Sequence, residues 1–186
     1  MIVTLALRVL QLLFGAVVLA LSIVLIKGYG PAMAGATLGK APEEPLMDYG
    51  AFCGAAGILI AAIGIAATFF EKLQGIVMLA LDGLASFFLF AGAVAYAAKV
   101  GAGSCTDETY KGYLVKHFDL FRPSIYKEYH TTDVDKRAGL IEDDIHGRCR
   151  EFQANTAFIW FMFACFVGTF ALGFLAKSGR RGGAMV

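Results

Sequence analysis

The sequence predicts an all-α membrane protein: a four-transmembrane-helix up-down bundle with a disulfide-stapled extracellular loop between helices three and four. Three observations predict it. The 186 residues are 58% hydrophobic and 17% charged, where a soluble domain has roughly 45–50% and about 25%. The apolar excess falls into four blocks, at 4–26, 49–70, 75–98 and 154–176, each near the ~20 residues a helix needs to cross a bilayer. Two of those blocks enclose a single buried-type charge, Arg8 in the first and Asp82 in the third. A charge in hydrocarbon costs at least about 2.5–3.5 kcal/mol, so each must face protein, water or a partner.

Residues 1–176 therefore form one four-helix transmembrane domain, followed by a basic tail, 177–186. The first block has no basic stretch ahead of its apolar run, so it is expected to stay as a signal-anchor rather than be cleaved near Ala20-Leu21-Ser22. Arg8 and Gln11, one turn apart, share a face. Lys27–Met47 is expected to be a loop, because Pro31, Pro42 and Pro45 forbid a long helix.

Span two, from Tyr49 to Phe70, is rich in small residues. Gly54, Gly57, Ala61 and Gly64 are candidate helix-packing positions, and Gly57-x-x-x-Ala61 lets backbones approach closely. That face packs either within the bundle or against a second copy. The four-residue link 71–74 makes spans two and three antiparallel neighbours.

The large outer loop covers 99–153. Tyr110, Tyr113, Leu114, His117, Phe118 and Phe121 fall at helical spacing before Pro123, which predicts an amphipathic helix of about three turns on the bundle or at the headgroups. A second helix is expected from Val134, capped by Asp133 and running on toward span four. In span four, Phe163, Phe166, Phe170 and Phe174 form a stripe that reads as packing or lipid-facing surface.

In an up-down bundle, spans one and three start from the same side. Arg8 lies about 10 Å along its helix and Asp82 about 12 Å along its own. Equal depth permits an intramembrane ion pair, with Gln11 and Ser86 supplying hydrogen bonds. Two other readings stay open: Arg8 snorkels to lipid phosphate, or Asp82 serves a polar transport pathway.

Cys53 and Cys165 lie inside spans and read as small apolar packing residues. Cys105 and Cys149 flank the outer loop, where helix ends lie close together. A bridge there would close about 45 residues and be worth roughly 4 kcal/mol by chain entropy. Such a bridge places the loop outside the cell or in a lumen, against the alternative of two reduced cytosolic thiols. Lys177, Arg180 and Arg181 suit anionic headgroups and put both termini in the cytoplasm. The nine Lys and Arg of Lys99–Glu151 count the other way, but a loop approaching this length escapes the charge rule.

The four spans, the short second hairpin, the aspartate in MLALDGLASFFLF and the cysteines of GSC…GRCREFQANTAFIWFMF resemble the MARVEL-domain tetraspan proteins. Within them, the chain is most similar to the fungal non-classical export protein group, on Arg148-Cys149-Arg150-Glu151, Gln153, Ala154 and Phe158–Phe163. Claudins and tetraspanins fit worse, since the first loop lacks Trp and Cys and the large loop lacks CCG. The resemblance implies a MARVEL-like fold and a plasma-membrane organiser in eisosome-type compartments linked to sphingolipids.

Catalytic and metal chemistry are not expected. His117, His130 and His146 with Asp143 and Asp144 match no ligand spacing, and Asp133-Val-Asp135 lacks the calcium-loop glycine, having Ala138 instead. A net charge of +1 without a basic cluster excludes nucleic acid as a partner. The residues thus predict a non-enzymatic scaffold that self-associates and senses or orders lipids. Its expected partners are membrane lipids (a sphingolipid or sterol), further copies of itself, and other membrane or cortical proteins. It needs no cofactor beyond bound lipid. A small transporter or proton-coupled channel using Asp82, or an auxiliary subunit of a larger complex, are the alternatives.

Overall fold

Three of the four long helices are apolar around most of their circumference, and the fourth is so only over its second half, the pattern of helices whose outer side meets lipid rather than water. The computed structural model describes residues 2–28, 45–68, 75–106, 112–122 and 133–182, with side chains as far as Ser178. Residues 29–44 of the first loop, the link 71–74 between spans two and three, Tyr110, Pro123, His130 and the side chains of Arg180 and Arg181 lie outside the described residues.

Among the described residues five helices follow in order: α1 Ile2–Gly28, α2 Pro45–Ala67, α3 Ile76–Val100, α4 Tyr113–Lys116 and α5 Val134–Gly182. Four of them, all but α4, are long and apolar enough to cross a membrane. They form a ring in which α1 meets α2 and α5, and α3 meets α2 and α5. Helices α1 and α3 thus face each other across the bundle's diagonal. Residue pairs such as Ser22 with Asn155 and Gln11 with Thr169 set α5 antiparallel to α1.

The start of α2 departs from expectation. Pro45, Leu46 and Met47 are helical, where the prolines predict loop. Proline at the first helical position is favourable, because its missing N–H has no intrahelical partner there and its φ is already helical. The reward is hydrophobic: Leu46 and Met47 are buried. At its other end α2 stops at Ala67, earlier than expected, with Thr68 Oγ1 donating to the Ile65 carbonyl at 2.6 Å.

Close packing of α1 on α2 depends on glycine. A Cβ at Gly54 would lie 2.7 Å from the backbone nitrogen of Leu19, and one at Gly15 would lie 2.9 Å from Ile58 Cγ1. Backbone cannot yield as a flexible side chain can, so only glycine fits at Gly54. Helix α3 ends at Gly101, whose φ of +66° and ψ of −172° form a conformation essentially restricted to glycine.

The segment after α3 corrects a second expectation. Among its described residues, 112–122, only Tyr113–Lys116 is α-helical, one turn rather than three. Gly112 is extended before it, and the residues that follow bend so that Leu120 and Phe121 enter the core. Tyr113 donates its hydroxyl to the Val100 carbonyl at 2.6 Å, and its ring lies 5.6 Å from that of Phe121, which stacks in turn on Phe152. The segment is a plug on the end of the bundle, while Val115 and Phe118 stay exposed.

Cys105 and Cys149 form a disulfide with Cα atoms 5.7 Å apart. Gln153 Nε2 donates to the Gly103 carbonyl at 2.8 Å beside it. Helix α5 begins at Asp133, whose Oδ1 accepts the Asp135 N–H at 3.1 Å, an N-cap. It then runs 49 residues without a break. At 1.5 Å per residue that is about 73 Å, more than twice a ~30 Å hydrocarbon core, so part of it projects from the membrane.

Replacing Cys105 with serine should lower unfolding stability by up to about 4 kcal/mol, the entropy of the released loop. The helix content of the folded state should not change. Thermal melts in detergent, with a mobility shift on non-reducing gels, read both effects; an unchanged melting temperature would show that α5 and the plug hold without the bridge.

Candidate functional site

A layer of polar side chains crosses the bundle near the start of α1. Arg8 comes from α1 and Asp82 from α3, and they are 4% and 3% exposed. The guanidinium meets the carboxylate edge-on, Nη1 to Oδ1 at 2.6 Å and Nη2 to Oδ2 at 2.7 Å. This bidentate geometry is the strongest arrangement these two groups can make. Since α1 and α3 lie on the diagonal, the long arginine side chain has to pass between α2 and α5. Gly64 makes room on α2, where a Cβ would collide with the guanidinium itself.

Gln11 extends the layer to α5. Its Oε1 accepts from Arg8 Nη1 at 3.1 Å, and its Nε2 donates to Thr169 Oγ1 at 3.1 Å and the Cys165 carbonyl at 3.2 Å. Thr169 returns its hydroxyl to the Phe166 carbonyl at 3.0 Å. Ser86 does not serve the carboxylate as expected. It donates to the backbone carbonyl of Asp82 at 2.7 Å, one turn back along its own helix. A serine four residues on finds that carbonyl nearer than the side chain.

A second layer, which the sequence reading does not identify, lies at the opposite end. Asn155 Nδ2 donates to Ser22 Oγ and to Tyr96 Oη, each at 3.1 Å. Gly50 leaves space for it, since a Cβ there would strike both hydroxyls. The signal that finds this layer is a spacing. Fourteen residues separate Arg8 from Ser22, Gly50 from Gly64, Asp82 from Tyr96, and Asn155 from Thr169. Fourteen residues are close to four turns, so each helix returns the same face about 21 Å farther along.

Apolar residues fill the interval: Val18, Cys53, Ile60, Ala85, Leu89, Ile159 and Met162 are all buried there. Gly57 faces Met162, whose Sδ would sit 2.7 Å from an added Cβ, and Ala61 is fully buried. Gly54, Gly57, Ala61 and Gly64 thus all face the interior of this bundle. Within the two layers, the buried atoms Arg8 Nε and Asn155 Oδ1 have no hydrogen-bond partner among the described residues. The Phe stripe of α5 divides: Phe166 is buried, while Phe170 and Phe174 are exposed.

Beyond the second layer, Arg148 Nη2 donates to the Leu25 carbonyl at 3.4 Å. The His117 ring lies 4.9 Å from that of Tyr113, tilted 50° to it. Among the described residues, no group of three or more His, Cys, Asp or Glu could hold a metal ion. Lys177 is half-buried near the end of α5.

Four antiparallel spanning helices, cross-linked by side chains at two depths, define a multi-pass integral membrane protein. The membrane-associating domain family MARVEL matches residues 2–172, nearly the whole chain, and the chain belongs to that family. No curated protein and no solved structure matches it.

Asp82→Ala would leave the Arg8 guanidinium buried without a counter-charge, a loss of about 3–5 kcal/mol. Arg8→Lys keeps the charge and should cost less. Replacing both by apolar residues, Arg8→Met with Asp82→Leu, should recover much of the stability lost in Asp82→Ala. The fraction of monodisperse protein after heating in detergent ranks the variants, and equal behaviour of Asp82→Ala and wild type would deny the pair any structural weight.

Proposed function

We propose that this MARVEL-family protein is a non-catalytic organiser of its membrane, which associates laterally with copies of itself and orders the lipids around it. The observation that carries this reading is the closure of the bundle. The hydrogen bonds of each polar layer run mainly among its own members, and the roughly 21 Å between the layers is filled mainly by apolar side chains. A transporter using Asp82 would need polar lining along that interval. Ser86 and Thr156, the hydroxyls nearest to it, are each bonded to a carbonyl of their own helix.

The outer surface supports the same reading. Phe87, Phe161 and Phe174 are more than half exposed and face outward with Leu59, Leu84 and Leu175. Chemistry of that kind acts through packing against chains and neighbouring helices. A finer assignment follows from the resemblance to the fungal non-classical export proteins. It is a plasma-membrane protein of sphingolipid-linked, eisosome-type compartments, working with other membrane or cortical proteins. In that assignment both termini are cytoplasmic, the disulfide-bonded plug faces outward, and Lys177, Arg180 and Arg181 lie against anionic headgroups.

Reconstitution into vesicles separates organiser from transporter. Copies labelled with donor and acceptor dyes should show energy transfer that falls as lipid dilutes them, and more so in sphingolipid-containing bilayers. Vesicles carrying an internal pH dye should leak protons no faster than empty ones. A proton flux abolished by Asp82→Asn would replace this reading with the transport one.

A further inference from the structure

We draw no further inference here: the strongest candidate, the projecting start of α5, where residues 134–140 are all exposed, carries none, because nothing in the structure shows what covers it.

Discussion

A positive and a negative charge placed in hydrocarbon cannot be left apart, and much of this bundle's design follows from keeping Arg8 and Asp82 together. Desolvating two ions costs several kcal/mol each, and their attraction offsets that only with good geometry and further hydrogen bonds. Geometry comes from the two-point contact of guanidinium and carboxylate. Further bonding comes from Gln11, which also ties the charges to α5. Since the partners stand on diagonal helices, the arginine has to cross the bundle axis, and Gly64 lets it do so. One ion pair thereby places a requirement on all four spanning helices.

The second layer makes that requirement into a register. A single cross-link would let helices tilt or turn about it, whereas two, separated by about four turns, specify both height and rotation. Ser22, Gly50, Tyr96 and Asn155 reproduce with neutral groups what Arg8, Gly64, Asp82 and Thr169 do with charge. Interhelical packing in lipid has no hydrophobic drive of its own and depends on close approach and polar contacts. The glycines of α2 supply the first and the two layers the second. The disulfide and Tyr113 plug then close the end that lies beyond Asn155.

Several of these features are legible in the sequence and others are not, for physical reasons. Spanning helices declare themselves because about 20 apolar residues have few other uses. Arg8 and Asp82 declare themselves as candidates because charge is so rare in such runs. Ser22, Tyr96 and Asn155 do not, since lone polar residues near span ends are ordinary; only their fourteen-residue offset from the charged layer sets them apart. Pro45 reads as a helix breaker until its position is known, and at a helix start it is the opposite. Tyr113, Leu114 and Phe121 show helical spacing, yet tertiary packing on Val100 and Phe152 uses them in a bent segment with one helical turn. Ser86 misleads because distance along a helix says nothing of which oxygen lies nearer.

Helix α5 joins these parts mechanically. It carries Cys149 at the disulfide, Asn155 at one polar layer and Thr169 at the other, all in one unbroken helix. A stiff rod cannot turn at one end alone. Rotation of its projecting first turns bears first on Tyr96, through Asn155, and then on Gln11, through Thr169, so both polar layers answer to one backbone.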